Sequence, residues 1–419
     1  MSQGLSPVRL VLPNGVVIQS VRTTRTAAVA INLAIRGGAA SDPASREGVT
    51  ALLGDLLERG TLQRSDAVVA EMLDARGVAV SVTVTPHQTL LTCTVLSDDF
   101  DEVCALLLEM VRMPALPADV LDVRRLALVT ATREADDDPA ERADLTFRAA
   151  LYGTRHPYGR RVTGTVESLH AMTRADLVAQ HCVSVVPAAV SIVIVGDVLP
   201  AQVDSLAANL CDGWRTAPAL ASTLPPCAPP TSRRLHVETM ADKAQAEIVY
   251  GWIGIARRDP AYDAVTVMNT VLGQFALGGR LGDNIRERQG MAYHVSSDLD
   301  ATLGPGPLTI RAGVAAANVD RTIAAIDAEV AALRRDGVTA RELDETQRYL
   351  VGSMPRALET SAGIARFLQR AELFGLGLDY DVQMPARIRA VTRADVQAAA
   401  ERLLDPAVAT MVVAGPYPT

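Results

Sequence analysis

The sequence predicts an α+β fold made of two homologous domains, each a mainly antiparallel sheet with helices packed on one face. Three observations support this prediction: the chain contains a long internal repeat, a proline-rich stretch separates the repeats, and strands and helices come in blocks. Strict alternation of strand and helix would instead predict a parallel, doubly wound sheet. A chain of 419 residues is also too long for one ordinary core, so two domains are expected.

The internal repeat is clearest near the end of each half. The segments Ala171-Met-Thr-Arg-Ala-Asp176 and Ala390-Val-Thr-Arg-Ala-Asp395 match at five of six positions. The same separation along the chain relates Gly196 to Gly415, so a whole helix-loop-strand unit recurs. A repeat of this length is too long for a solenoid and implies two similar domains that face each other.

A slightly longer separation relates Arg148-Ala-Ala-Leu-Tyr-Gly153 to Arg370-Ala-Glu-Leu-Phe-Gly375, so one intervening loop differs in length. The repeats predict an N-terminal domain at residues 1–216 and a C-terminal domain at residues 235–419. Residues 217–234 between them contain five prolines. Proline at this density predicts a stiff, extended linker.

Residue periodicity predicts the elements of the first half in order. Alternating apolar and β-branched residues predict strands, at 8–12, 16–20, 27–35, 78–84, 89–96 and 189–195. Asn14-Gly15 between the first two strands is typical of a hairpin turn. Apolar residues at helical spacing predict helices, at 48–59, 65–76, 99–113, 117–136, 139–151 and 176–181.

Composition excludes several classes of function. A formal net charge of -8 argues against nucleic acid and anionic membranes as partners. No stretch approaches the roughly 20 apolar residues that span a bilayer. The N-terminal stretch has no basic region followed by an apolar core, so we expect no secretory signal and a cytoplasmic location. The five cysteines are scattered without a Cys-x-x-Cys pair, so we expect reduced thiols and no cysteine zinc site.

Residues 278–295 contain the most site-like pattern of the chain. Helical spacing continues to Arg288, Gly290 follows as a left-handed cap, and an alternating strand comes next. Arg286 and Tyr293 would therefore lie on two elements that meet at this turn. A guanidinium and a phenol held together there could bind a carbonyl oxygen or an oxyanion. The alternative is that Arg286 is a solvated helix-end charge and Tyr293 a half-buried strand residue.

Several short motifs are spread over nearly the whole chain. They are LPNG at 12–15, Arg36-Gly37-Gly38, Gly48 with Gly60-Thr61, His156-Pro-Tyr-Gly159 and a proline-to-glycine strand used in both halves. Together they resemble the M16, or pitrilysin-like, zinc peptidase family. Members of its shorter bacterial and mitochondrial-processing-peptidase-like branch, M16B, resemble the chain in length and two-domain plan. The resemblance implies a dimer that encloses a peptide between four such domains.

The zinc motif of that family, His-x-x-Glu-His, lies on the helix that the glycines at 48 and 60 bracket. Aligning those glycines with the family places Ala51, Gly54 and Asp55 on the first His, the Glu and the second His. The third ligand, a Glu on a later helix, falls near Thr130 or Ala131. Residues 41–86 contain no histidine, so a shifted alignment would not restore the motif. We therefore expect no metal and no cofactor in this chain.

In the second half, by contrast, the resemblance implies that a functional motif of the family is kept. In M16 enzymes an Arg and a Tyr seven residues apart in the C-terminal domain reach the zinc-bound peptide, and Arg286 and Tyr293 resemble that pair. Heterodimeric members divide the work, with zinc in one chain and the Arg/Tyr pair in the other. This chain resembles the second kind. Residues 303–307, Leu-Gly-Pro-Gly-Pro, resemble the glycine-rich loop of the processing peptidase's non-catalytic subunit but also fit a turn between strands.

These resemblances imply a composite peptidase site. A zinc-bearing M16B partner would supply the metal, its water and the general base, while Arg286 binds a peptide carbonyl and Tyr293 donates to the oxyanion. The chain would be inactive alone, and the peptide would add a strand to a sheet edge in the first half. Two alternatives stay open: a silent scaffold like the core subunits of the respiratory bc1 complex, or a self-associating, homodimeric peptide-binding protein. The absence of a Gly-x-Ser-x-Gly elbow disfavours an independent serine hydrolase.

Overall fold

The computed structural model describes residues 4–214, 216–219, 224–274 and 278–418. Its strands are β1 Val8–Val11, β2 Val17–Arg22, β3 Ala28–Arg36, β4 Ser81–Val84, β5 Gln88–Leu96, β6 Val190–Gly196, β7 Arg234–Thr239, β8 Ala246–Ile253, β9 Ala292–Leu299, β10 Pro307–Val314 and β11 Thr410–Gly415. Its α-helices are α1 Val49–Leu56, α2 Asp66–Asp74, α3 Phe100–Arg112, α4 Ala118–Asp137, α5 Pro139–Tyr152, α6 Val166–Ala171, α7 Arg174–Ser184, α8 Pro200–Cys211, α9 Tyr262–Asn269, α10 Val319–Asp336, α11 Ala340–Ala357, α12 Ser361–Phe374, α13 Tyr380–Ala390 and α14 Arg393–Leu403. Two further segments are π-helical, Thr270–Gln274 and Gly282–Arg288.

In the part of the chain that the structure describes, the strands form two sheets of similar plan. The first has six strands in the order β1-β2-β6-β3-β5-β4, and the second has five in the order β7-β11-β8-β10-β9. Each sheet has one parallel pair, β2 with β6 and β7 with β11, and its other pairs are antiparallel. The predicted α+β class with mainly antiparallel sheets is therefore confirmed.

The centre of the first sheet is buried on both faces. Residues 29–35 of β3 are all buried, as a strand covered on both sides must be. Ile31 belongs to the large core that also contains apolar residues of α1, α3 and α7. Ala30 and Val193 point to the opposite face and pack with Leu368 of α12. The sequence predicts helices on one face of each sheet only, so the packing of α12 on the second face is a difference from the prediction.

The second sheet repeats this layering. Tyr250 of β8 belongs to a core shared with α9, α10 and α14. On the other face, Val249 of β8 and Val412 of β11 pack with Phe147 of α5. Phe147 is fully buried, so it is the main anchor of α5 on this sheet.

The chain therefore divides into two compact units that exchange segments. One comprises residues 1–132, 161–223 and 354–381, and the other residues 133–160, 224–353 and 382–419. Helix α5 comes from the first half of the sequence and belongs to the second unit, while α12 does the reverse.

The predicted domains, 1–216 and 235–419, have boundaries that rest on the sequence repeat, and these boundaries stay a prediction. Residues 220–223 of the predicted linker at 217–234 lie outside the described residues. None of the helices that the structure describes is long and apolar enough to cross a membrane.

The internal repeat holds in local detail. Thr173 and Asp176 form a capping box at the start of α7, and Thr392 and Asp395 form the same box at the start of α14. In each unit the arginine that follows the cap donates from Nε to a distant backbone carbonyl at 2.7 Å. Gly196 and Gly415 end their strands with φ of 150° and 139°.

Candidate functional site

Helix α1 carries Ala51, Gly54 and Asp55, the predicted positions of the degenerate zinc motif, and a carboxylate fixes the start of the helix. Asp42 accepts hydrogen bonds from the amides of Gly48 and Thr50 at 2.9 and 3.3 Å, and from the Thr50 hydroxyl at 2.5 Å. Burial raises the pKa of Asp42 to about 7, so its charge interacts favourably with the positive end of the helix dipole only once the carboxyl is ionised. The helix therefore begins where the glycine at 48 adopts its left-handed φ of 87°.

Gly54, at the position of the general-base Glu, has no room for a side chain. A β-carbon there would lie 2.8 Å from Val84 Cγ2 and 3.5 Å from Val82 Cγ1, both on β4. Ala51, at the first ligand position, offers only a methyl group. Neither position can bind a metal or accept a proton.

Asp55, at the second ligand position, is already bound to a cation. Its two carboxylate oxygens accept hydrogen bonds from Nε and Nη2 of Arg124 on α4, at 2.6 and 2.5 Å. This is the bidentate geometry that a guanidinium prefers with a carboxylate. The hydrogen bonds to Asp55 raise the pKa of Arg124 above its usual range.

Ala131, the predicted third position, lies exposed on α4 and has no ligating atom. The four positions together offer one carboxylate, and that carboxylate is engaged by Arg124. A zinc ion needs at least three protein ligands, so these residues do not fit one. Among the residues that the structure describes, no other group of three His, Cys, Asp or Glu is placed to hold a metal.

Strand β4 next to α1 has an open edge. It pairs with β5 through Ser81 to Val84 and ends the sheet order, so none of the described strands lies on its other side. Ser81 and Thr83 are exposed. An open antiparallel edge can accept an extended peptide through main-chain hydrogen bonds.

Arg286 lies in the π-helical segment Gly282–Arg288, where the sequence predicts an ordinary helix. Its side chain is 46% exposed, and its one salt bridge within the described residues is a 3.7 Å contact with Glu287. π-helical turns are rare and occur often at functional sites. The segment is anchored upstream, because Arg280 forms a bidentate pair with Glu342 at 2.7 and 2.9 Å.

Tyr293 follows on β9, and the predicted helix-to-strand junction is present. Gly290 has the predicted left-handed φ of 60°, and β9 begins at Ala292. Tyr293 is 65% exposed and, in the described part of the chain, its side chain makes no hydrogen bond or ring contact. Strand β9 is the edge of its sheet. Both residues therefore lie on the surface of their own unit. The half-buried alternative for Tyr293 is wrong, whereas the exposure of Arg286 also fits the alternative of a solvated helix-end charge.

His294, beside Tyr293, has a carboxylate neighbour that the sequence did not reveal. Its Nε2 lies 3.4 Å from Oε2 of Glu247 on β8. Burial raises the pKa of Glu247, the charge interaction with His294 opposes this, and the negative charge of Asp138 acts in the same direction as burial. The contact passes over β10, the one strand between β9 and β8, so no local spacing signals it.

The loop at 303–307 is held in place. The Tyr158 hydroxyl accepts a hydrogen bond from the Gly304 amide at 3.0 Å, and the Tyr152 hydroxyl donates to the Pro305 carbonyl at 2.9 Å. The Gly254 amide donates to the Gly306 carbonyl at 2.8 Å. These bonds favour the turn between strands over the glycine-rich loop. They also explain the His156-Pro-Tyr-Gly159 motif, whose tyrosine anchors the turn.

Comparison with known proteins gives two family matches that together cover most of the chain. Residues 16–165 match the model described as insulinase (peptidase family M16), and residues 171–350 match the model described as the peptidase M16 inactive domain. The chain is similar to the "uncharacterized zinc protease" of Mycobacterium tuberculosis, at 30% identity over 96% of this chain and 91% of that protein. A protein of the same description from Mycobacterium leprae is 28% identical over 98% of this chain and 92% of its own length.

The fold also matches a solved structure over its full length. The crystal structure of a peptidase M16 inactive domain from Pseudomonas fluorescens superposes with a TM-score of 0.92, at 25% identity, and covers 99% of both chains. Sequence and structure agree on the same two-domain plan. The chain belongs to the M16 peptidase family.

Proposed function

We propose that this chain is the zinc-free subunit of a two-chain M16B peptidase. A partner chain with an intact His-x-x-Glu-His motif would supply zinc, its bound water and the general base. Arg286 of this chain binds a carbonyl oxygen of the peptide at that site, and Tyr293 donates to the oxyanion as it forms. Neither residue works without the partner, so the chain alone does not hydrolyse peptides.

The exposure of Arg286 and Tyr293 is the observation that carries this proposal. Residues that only hold a fold together are buried or paired, whereas Tyr293 is 65% exposed and Arg286 is 46% exposed with one long contact to its chain neighbour. A desolvated phenol or guanidinium on a substrate is worth far more than one in water. Arg286 on the π-helical segment and Tyr293 on the edge strand are therefore exposed donors available for substrate.

Two further features support a zinc-free role. The degenerate motif at Ala51, Gly54 and Asp55 has no base and no free ligand, and the description of the C-terminal family match names an inactive domain. The zinc in the names of the mycobacterial relatives is not carried over to this chain, because its own motif cannot bind it.

The scaffold and the homodimeric peptide-binding protein are the competing functions. A scaffold does not need exposed, unpaired side chains at the Arg/Tyr positions. A homodimer would contain two degenerate zinc helices and could bind peptide but not cleave it. A neighbouring gene for an M16 chain with an intact zinc motif would favour the peptidase over both.

A reconstitution assay tests the proposal. Hydrolysis of a fluorogenic peptide is measured for this chain, for the zinc-motif M16 chain of the same genome, and for their mixture. The proposal expects activity only in the mixture, and loss of activity with Arg286→Ala. Arg341→Ala is the matched control, because Arg341 is an exposed arginine paired with Glu345 on α11. Full activity of the zinc-motif chain alone would leave the scaffold as the better account.

A further inference from the structure

We infer that His294 is a positioning residue for Tyr293, and that its imidazole acts as a pair with the Glu247 carboxylate. The inference rests on the proposed function and adds two side chains of this chain to the same site. The pair anchors the β-bulge that turns Tyr293 out of the core and toward substrate. His294 itself does not contact the reacting atoms.

Tyr293 is the extra residue of a β-bulge at the start of β9. Gly313 of β10 lies opposite His294, but the next residue of β10, Val314, lies opposite Ala292, which leaves Tyr293 without an opposite residue on β10. Strand β9 is an edge strand. Bulges are frequent at sheet edges and next to active sites, where they re-aim a side chain.

The bulge changes which side chains of β9 leave the core. Ala292 and Val295 are both buried in the core of the second unit, whereas Tyr293 and His294 between them are both exposed. Residues two apart on a regular strand point to the same face. A strand without the bulge would therefore turn Tyr293 to the face of Val295, inside the core. The bulge is what makes the phenol available.

His294 lies beside this bulge, above a position where β10 has no side chain. Glu247, Gly313 and His294 are directly opposite one another on β8, β10 and β9. A β-carbon on Gly313 would lie 2.5 Å from Cε1 of His294 and 2.7 Å from Oε1 of Glu247. The imidazole and the carboxylate therefore meet over Gly313, and a side chain at this position would separate them.

Glu247 holds the imidazole in place. Its side chain is 15% exposed, and its Oε2 lies 3.4 Å from Nε2 of His294. Among the residues that the structure describes, His294 is the one basic side chain within ion-pair distance of Glu247. A largely buried carboxylate without a partner is costly, so the contact is favoured from the Glu247 side. Because His294 directly follows Tyr293 in the bulge, an anchored imidazole limits the movement of the phenol.

A double-mutant cycle in the reconstituted peptidase tests the inference. His294→Ala and Glu247→Met should each lower kcat about tenfold to 10²-fold with KM little changed, because displacing a catalytic group by about 1 Å costs rate of this order. The double variant should lose no more than either single variant, since the two side chains act as one unit. His294→Gln keeps an N–H donor for Glu247 and should recover most of the kcat.

Gly313→Ala tests the same geometry without changing either partner. The added methyl group takes the space above β10, so the imidazole has to leave Glu247 and kcat should fall as it does with His294→Ala. Gly352→Ala is the matched control, because a β-carbon there meets no atom within 4 Å. His236→Gln removes an exposed imidazole from β7, the other edge strand of the sheet. Both controls should keep the kcat of the wild type.

Measurements on this chain alone separate positioning from folding. The melting temperature of His294→Gln should equal that of the wild type. His294→Ala should raise hydrogen exchange at residues 291–296, because the bulge is no longer anchored. Unchanged exchange there would overturn the inference, whatever the reconstituted pair does.

The inference and the proposed function fail in different ways. A mixture that is inactive, or that does not respond to Arg286→Ala, overturns the proposed function and the inference with it. In a mixture that Arg286→Ala inactivates, an unchanged kcat with His294→Ala and Gly313→Ala overturns the inference alone. Fully additive losses in the cycle would also overturn it, because His294 and Glu247 would then act separately.

Discussion

A β-carbon built on Gly54 would lie 2.8 Å from Cγ2 of Val84, so α1 and β4 approach each other through a missing side chain. The general-base Glu of an M16 zinc helix would need this space. Asp55, the next residue on α1, forms its ion pair with Arg124 of α4. The side chain missing at Gly54 thus leaves no general base there and lets α1 pack closely on β4.

Gly54→Ala should destabilise the chain, although alanine normally stabilises a helix by about 0.5–1 kcal/mol relative to glycine. The added methyl forces Val84 to move, and overpacking of this kind costs about 1–3 kcal/mol. Urea unfolding measures the difference. The matched control is Gly352→Ala in α11, where a β-carbon meets no atom within 4 Å. Equal stabilisation by both substitutions would contradict the packing.

Metal binding tests the assignment of the degenerate positions. The wild-type chain should bind no zinc in a dialysis experiment read by atomic absorption. Ala51→His, Asp55→His and Ala131→Glu together restore three ligands while Gly54 stays, so the triple variant should bind one zinc ion. It should remain inactive, because no general base is present. Zinc in the wild type, or none in the triple variant, would show that the assignment is wrong.

Acid should loosen the segment that carries Arg286. Burial raises the pKa of Glu342, but hydrogen bonds from Arg280 and Thr339 outweigh it and lower the pKa to about 2. A carboxyl whose pKa is lower in the folded state stabilises that state above its unfolded pKa. This stabilisation is lost as the pH falls through the folded value of about 2.

Glu342→Gln should therefore reduce the free energy of unfolding at neutral pH, and this free energy should then decrease less as the pH falls. Glu345→Gln, on the same helix, is the control. Urea unfolding between pH 7 and pH 2 gives both profiles. Identical acid profiles for the wild type and Glu342→Gln would show that this pair does not contribute.

Helices α5 and α12 each belong to the unit of the other sequence half. Core substitutions in them should therefore affect the sheet of that unit. Phe147→Ala should cost about 3–5 kcal/mol, because Phe147 is fully buried between α5 and the second sheet. Hydrogen exchange should rise mainly in β8 and β11, although Phe147 comes from the first half of the sequence. Leu368→Ala in α12 should loosen β3 and β6 instead. Exchange that follows the sequence halves would contradict the two compact units.

Periodicity predicted most elements of the first half, and the repeat predicted the two-sheet plan. Helices α6 and α8 were missed. Helix α6 is too short to show a period, whereas Val203, Leu206 and Leu210 of α8 do lie at helical spacing. The π-helical form of Gly282–Arg288 was also missed, because so short a segment does not distinguish the two helix types.

Contacts between distant residues explain the rest of what the sequence did not reveal. The packing of α12 on β3 and the Asp55–Arg124 pair join residues far apart in the chain. No local pattern signals such contacts. The positions of Arg286 and Tyr293 on either side of a turn were predictable because helix spacing, cap glycine and strand alternation lie in one continuous segment.

The most direct test of the central claim is the kcat of the reconstituted pair with Tyr293→Phe. The account predicts a kcat about 10²-fold to 10³-fold lower, with KM little changed, because the phenol acts on the oxyanion and not on the bound peptide. Tyr349→Phe, at another exposed tyrosine of the second unit, should leave kcat unchanged. An unchanged kcat with Tyr293→Phe would contradict the account and leave this chain a scaffold.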